Sequence, residues 1–161
     1  MNIISGKFRR RQLVYPKDRQ FRPTKAIVRE AVFSILGGSA EAMSVLDLCS
    51  GSGAIGFEAE SRGAEHVVCV DNDITYLKKN KINLNSSVTI VRLDIISYLK
   101  RLTTSFDVIY LDPVWSDHKV YEMSLSLILE RQLLNSNGVL FIEHDASFQY
   151  LFDDNVFKLK Q

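Results

Sequence analysis

The sequence predicts an α/β fold, a mostly parallel, twisted sheet with helices on both faces. Three observations carry that prediction. Short Val/Ile/Leu-rich runs recur at Val45–Leu48, His66–Val70, Val88–Leu93, Phe106–Leu111 and Val139–Glu143. Helical patterns lie between them, over residues 53–62, 74–84, 95–102 and 119–134. The first run opens directly into a glycine turn, Gly51-Ser-Gly53, after which a helix starts at once. Strands separated by helices of this length are joined by crossovers, so they pair in parallel and are buried on both faces. A last run, Val156–Lys160, predicts one further strand, six in all.

At 161 residues the chain is expected to form one domain, with a basic N-terminal arm over residues 1–23 and the α/β core over 24–161. An apolar content of 46% and a charged content of 24% are those of an ordinary globular protein and argue against a disordered chain. No apolar run approaches the roughly 18 residues that span a bilayer, and the N-terminus lacks a signal-peptide core. Cys49 and Cys69 read as free, reduced thiols in buried segments. His66, His118 and His144 show no metal-ligand spacing, so no metal is expected. These features predict a cytoplasmic monomer that neither binds metal nor enters a membrane.

The elements follow in order. Residues 1–23 interleave apolar Ile3, Ile4, Phe8, Leu13, Val14 and Tyr15 with basic residues, and read as two short strands forming a small hairpin. Phe21-Arg-Pro-Thr24 is a turn into a helix, with Thr24 as its N-cap. Ile27, Val28, Ala31, Val32, Ile35 and Leu36 form an apolar stripe of helical period, which leaves Lys25, Arg29 and Glu30 off it. Gly37-Gly38 ends that helix. Residues 1–25 hold eight of the 20 Lys/Arg but one of the 19 Asp/Glu, leaving a net −6 on the remainder. A basic arm on an acidic body fits a polyanionic partner, and Lys7, Arg9, Arg10, Arg11 and Arg22 are its candidate phosphate contacts.

The chemistry concentrates at the strand ends. Gly51-x-Gly53-x-x-Gly56, with Asp71 twenty residues after Gly51, matches the nucleotide-binding fingerprint in its strand–turn–helix context. Asp47 is the discriminating residue. A carboxylate there repels a pyrophosphate but suits the ammonium and sulfonium charges of S-adenosyl-L-methionine, directly or through water. Asp71 is placed to accept two ribose hydroxyls. Asp94, with the Ile95 backbone N–H beside it, is placed to accept an adenine amino group. Ser50, Ser52 and Asn72 complete the candidate cofactor set. Singly, each acid is also a good helix N-cap, but three acids in register with a glycine loop are much harder to explain that way. Asp112-Pro-Val-Trp115 ends the fourth strand. There Asp112 and the Pro113 carbonyl can accept hydrogen bonds from an exocyclic amine, while Trp115 stacks on a flat base.

Together, Phe21-Arg-Pro-Thr24, Val45–Gly56, Asp71-Asn-Asp73, Asp94 and Asp112–Trp115 resemble the RsmD family of bacterial 16S rRNA guanine-N2 methyltransferases. The resemblance runs from about Ile3 to His144. Its specific part is the Arg-Pro-Thr element, because the glycine motif fits any class I methyltransferase. The resemblance implies a Rossmann-like class I fold, S-adenosyl-L-methionine as cofactor, and a guanine of 16S ribosomal RNA or the small ribosomal subunit as substrate, methylated on its exocyclic N2. It implies cofactor roles for Gly51, Gly53, Asp71 and Asp94, places Thr24 near the methionine end of the cofactor, and makes Asp112 and Pro113 the target loop. The chain departs from the family at Val114, where a second proline is usual, and at Trp115, where Phe or Tyr is usual. The family also ends in an antiparallel hairpin, for which this chain has room for one strand only. Three alternatives stand beside this reading. They are a methyltransferase for another nucleic-acid amine such as adenine N6, a nicotinamide-dependent oxidoreductase, and a catalytically weak module that binds S-adenosyl-L-methionine.

Overall fold

The side-chain alternation of five strands decides how the molecule is layered. In the computed structural model, which describes residues 1–17 and 24–145, the strands are β1 (Ser44–Leu48), β2 (His66–Asp71), β3 (Thr89–Arg92), β4 (Phe106–Leu111) and β5 (Leu134–Ile142). The helices are α1 (Ala26–Ile35), α2 (Ala54–Ser61), α3 (Thr75–Leu84), α4 (Ile95–Arg101) and α5 (His118–Glu130). All strand pairings are parallel, in the order β3-β2-β1-β4-β5. The chain winds outward from β1 to β3 and then crosses back to lay β4 on the other side of β1. That reversal opens a crevice at the C-terminal ends of β1 and β4, where ligands bind in such sheets.

Successive side chains point to opposite faces, so each strand feeds two cores. Val45, Cys69, Val108 and Tyr110 join Val32 and Phe33 of α1, Ile55 and Phe57 of α2, and Leu77 and Leu84 of α3. Leu46, Leu48, Val68, Val70, Ile109 and Leu111 pack against Ile95 and Leu99 of α4 and Tyr121, Leu125 and Ile128 of α5. The predicted parallel sheet with helices on both faces is what the structure shows. The run Val156–Lys160 lies outside the described residues.

The N-terminal segment departs most from expectation. Its hairpin reduces to one antiparallel bridge, Asn2–Gln12. It is no free arm, because Ile3, Phe8 and Leu13 are buried in the α1–α3 core. Burying each such side chain contributes roughly 1.5–3 kcal/mol. The segment is also stitched to α2, all of whose residues are buried. The Ile4 and Ser5 amides donate to the Glu58 carboxylate at 2.8 and 3.0 Å, and the Lys7 amide donates to the Ser61 carbonyl at 2.8 Å.

Helix α1 is rotated from the predicted stripe. Ile27 is 71% exposed, whereas Arg29 is 2% exposed. The reason is the buried Glu58 carboxylate on α2. Arg29 lies 3.8 Å from it and Arg62 2.8 Å, so a core position goes to a cation that an apolar count places outside. Arg29 also donates to the Asn2 carbonyl at 3.1 Å. Thr24 does not cap α1. Lys25 holds the cap position and no side chain bonds there. Helix α5 is shorter than its predicted 119–134 span. It ends at Glu130, Gln132 turns with a φ of 52°, and Leu134 already pairs with Phe106 in the sheet.

Candidate active site

The glycine loop between β1 and α2 is held by the two acids that flank it. Helix α2 begins after Gly53, which has no side chain to satisfy the orphan amides of the first turn. Asp47 supplies the missing acceptor from the preceding strand, its Oδ2 receiving the Gly56 amide at 2.9 Å. At the other end of the loop, the Asp71 Oδ2 receives the Gly51 amide at 2.7 Å. Ser50 Oγ donates to the Asp47 carbonyl at 2.5 Å and its amide to the Val70 carbonyl at 3.1 Å. Ser52 is buried and its carbonyl accepts from Asn80 Nδ2 at 2.9 Å. The Asn80 amide also bridges both main-chain groups of Val14, which ties the N-terminal segment to the loop.

Gly53 sits at φ 81°, where a Cβ would strike the Phe57 ring and Leu77. Gly56 lies so close to Cys69 that a Cβ would collide with its Sγ. These two glycines therefore serve the packing of α2 on the sheet, whereas Gly51, at φ 56°, is half-buried.

This geometry corrects the role expected of Asp47. It lies inside β1, paired with Cys69 and Tyr110, and is 2% exposed. Burial, followed by the nearby Asp112 and Asp71 carboxyls, pushes its pKa up to about 8 against the opposing pull of the Gly56 hydrogen bond. Its carboxyl is turned into the protein and holds the loop's own Gly56 amide, so the geometry does not show the direct contact with a cationic cofactor expected of it, and the contrast drawn between pyrophosphate and such a cofactor loses its direct basis.

Asp71, half-buried at the end of β2, keeps room for a ligand. A carboxylate has about four lone-pair sites. Gly51 takes one on Oδ2 and the Asp73 amide takes one on Oδ1 at 2.9 Å, so each oxygen retains acceptor capacity for one hydroxyl of a diol. Asn72 is exposed beside it, its carbonyl accepting from Arg92 Nε at 3.3 Å. Asp94 is the N-cap of α4. Its Oδ1 receives the Ser97 amide at 2.8 Å, hydrogen bonds from the Ser97 side chain and amide lower its pKa, and the residue is exposed. Ile95 holds the first helical position, where an amide has no partner within the helix.

Asp112 stands where β4 ends, beside the glycine loop, its amide reaching the Leu48 carbonyl at 3.4 Å. The Trp115 indole N–H donates to its carboxyl. Burial and, second, the Glu143 carboxyl push the Asp112 pKa up to about 7. Three residues that the sequence did not single out complete this corner. Tyr121 of α5 donates to the Glu143 carbonyl at 2.6 Å and lies 3.3 Å from the Pro113 carbonyl. The Tyr110 hydroxyl donates to Glu143 Oε2. Glu143 directly follows β5 as Asp112 directly follows β4, and that repeated acid just past a strand end was the available signal. Val114 is 74% exposed, and Trp115 is half-buried.

The basic residues lie elsewhere. Helix α2 runs back down the sheet from the glycine loop, and its C-terminal end, with that of α3, holds the arginine turn. Lys7 pairs with Glu60 at 3.1 Å, and Arg11 donates to the Asn83 carbonyl. Arg9 and Arg10 donate their amides to the Gly6 and Ile3 carbonyls, while their exposed side chains make no hydrogen bond or ion pair among the described residues. This turn is therefore about the length of α2, roughly 12 Å, below the Asp112 end of the sheet. Arg22 lies outside the described residues. Thr24 lines a shallow groove with Lys25, Arg29 and Met1–Ile4. No cluster of three or more potential metal ligands occurs among the described residues, and none of the described helices is long and apolar enough to cross a membrane. Both cysteines are free, and burial pushes their thiol pKa values up.

The family model described as Conserved hypothetical protein 95 matches residues 1–159. The chain belongs to this family. The resemblance to RsmD is thus borne out across nearly the whole chain. Ribosomal RNA small subunit methyltransferase D of Haemophilus influenzae is 31% identical over 169 residues, covering 100% of this chain and 87% of that protein. The protein of the same name from Buchnera aphidicola is 31% identical over 156 residues, covering 94% and 79%. The solved structure of yhhF from Escherichia coli superposes with a TM-score of 0.82 at 27% identity, covering 92% of this chain and 84% of that one. A hypothetical protein of Thermus thermophilus superposes with a TM-score of 0.80 at 25% identity, covering 93% and 89%.

Proposed function

We propose that this chain is an S-adenosyl-L-methionine-dependent methyltransferase acting on the exocyclic N2 of a guanine in small-subunit ribosomal RNA. The observation that carries the reading is the position of Asp112-Pro-Val-Trp115 at the β1/β4 reversal, one strand from the Asp71-braced glycine loop. The relatives named as ribosomal RNA small subunit methyltransferases supply the substrate class.

The site suits the cofactor. The first two amides of α2 offer donors, the free lone pairs of Asp71 suit a ribose diol, and the exposed Asp94 carboxylate with the Ile95 amide suits an adenine edge. When bound, S-adenosyl-L-methionine supplies a methyl group on a sulfonium whose sulfur keeps the electron pair of the broken bond. The chain's own part is positioning, worth a large share of the barrier. Asp112 accepts an amine N–H and orients the nitrogen lone pair, the Pro113 carbonyl accepts the second N–H, and Trp115 stacks on the extruded base. Arg9 and Arg10 hold RNA phosphates at the far end of the sheet, Arg22 is a further phosphate contact, and the enzyme works as a cytoplasmic monomer.

Two measurements test this. Calorimetry with S-adenosylhomocysteine against NAD is expected to show binding of the first only, and tighter binding of NAD would replace the reading with an oxidoreductase. Mass mapping of ribosomal RNA nucleosides from cells with and without the protein is expected to show one N2-methylguanine lost from the small subunit. Loss of an N6-methyladenine instead would reassign the substrate.

A further inference from the structure

We infer that Glu143 is a positioning residue that makes Asp112 the acceptor of the proton released when the substrate amine is methylated; this rests on the proposed reading of Asp112. Leu111 and Ile142 are register partners, and the Glu143 amide donates to the Leu111 carbonyl at 3.0 Å. Asp112 and Glu143 are therefore the next rung beyond the end of the sheet, on the face that Tyr110 occupies two residues earlier. Glu143 is gripped from both sides of the sheet. The Tyr110 hydroxyl, on the α2 face, donates to its Oε2, and the Tyr121 hydroxyl, reaching from α5, donates to its carbonyl oxygen at 2.6 Å. The carboxyl group is thus fixed beside Asp112, not released to solvent.

The proton balance gives this arrangement its use. The amine nitrogen spends its lone pair on the new N–C bond and becomes positively charged, so one of its N–H protons must leave. The Asp112 carboxylate, already accepting that N–H, takes the proton and becomes a carboxylic acid, and later exchange with water restores it. An ordinary aspartate holds a proton poorly at neutral pH. A second acid on the adjacent strand end makes the proton worth holding, because two neighbouring carboxylates repel. The groups facing Asp112 are Glu143 just past β5, Tyr110 from β4, Asp47 from β1, Cys49 from the glycine loop, Tyr121 from α5 and Trp115 from its own loop. Burial acts first on Asp112 and Glu143 second, and together they hold it at about 7.

The test is a titration of ¹³C-carboxyl aspartate by NMR in the full chain, with the Asp112 signal assigned by its loss in D112N, alongside the pH dependence of kcat/KM. In E143Q the Asp112 midpoint is expected to fall by about one pH unit, and the acid limb of kcat/KM to fall with it, while S-adenosylhomocysteine affinity stays put. An unmoved midpoint overturns the inference, as does a moved midpoint with an unmoved limb, which would leave Glu143 a purely structural residue. Should E143Q not fold, Y110F frees the Glu143 carboxyl while leaving it in the chain, and both shifts are expected in the same direction but smaller. Absence of turnover in the wild type sinks the methyltransferase reading and the role of Glu143 in it, whatever the midpoint does. Turnover with an unmoved midpoint sinks the role of Glu143 alone.

Discussion

Asp47 caps a helix that starts seven residues after it, its Oδ2 holding the Gly56 amide at 2.9 Å from within the central strand. The bond explains how a turn with glycine at the cap position of α2 can still present a defined helix N-terminus to a ligand. It also leaves an acid buried at a pKa of about 8.

A stability signature follows from that pKa. Because Asp47 is raised in the folded state, its contribution is fully present below the unfolded aspartate pKa of about 4 and is lost as pH rises through about 8. Asp47→Asn keeps an acceptor for Gly56 but cannot ionise. Urea denaturation at pH 5 and pH 8 is expected to show a smaller loss of stability across that interval in the variant than in the wild type. Asp47→Ala, which leaves the buried Gly56 amide unpaired, is expected to cost about 1–3 kcal/mol at pH 5 and less at pH 8, where the wild type has itself lost stability.

Gly56 and Cys69 are expected to be coupled. Gly56→Ala drives a methyl group into the Cys69 Sγ and is expected to cost about 1–3 kcal/mol. Adding Cys69→Ala opens the space, so the double variant is expected to be more stable than the sum of the two single losses implies. Chemical denaturation of the four proteins measures the coupling, and strict additivity would show that the close approach is relieved in some other way.

Asp112→Ala is expected to abolish methyl transfer while leaving the affinity for S-adenosylhomocysteine within a few-fold, since the Asp71 and Asp94 contacts stay in place. Calorimetry and a radiolabel transfer assay on small subunits separate the two effects. A large loss of cofactor affinity would move Asp112 out of the target loop and into the cofactor site.

Arg9→Ala with Arg10→Ala removes two charges far from Asp112. KM for the ribosomal substrate is expected to rise with kcat unchanged. The slope of log K against log salt is expected to flatten by about 1.5, the loss of two phosphate contacts. An unchanged slope would make this turn a solvated feature of the N-terminal packing.

Much of this molecule was legible because the relevant patterns are local. Short Val/Ile/Leu-rich runs and the helical patterns between them placed β1 to β4 to within a residue or so and the second half of β5, whose start at Leu134 fell where a helix was expected. Glycine spacing located the loop, and acids at strand ends located Asp71, Asp94 and Asp112. Errors arose where a residue answers to a distant partner. Arg29 reads as surface on its own helix, yet the buried Glu58 on another helix draws it inside. Lys7 reads as a free cation until Glu60 is placed beside it.

The sequence by itself determined the order of elements, the parallel sheet and the residues that end its strands, because strand and helix periods and the turn chemistry of glycine are properties of neighbours along the chain. Only the tertiary structure decided what those residues face. Register put Glu143 next to Asp112, strand alternation turned Asp47 into the protein, and the downward run of α2 carried Arg9 and Arg10 to the end of the sheet opposite the site. The physical reason is that burial and charge pairing depend on which elements meet, and that choice is made by packing the whole chain at once.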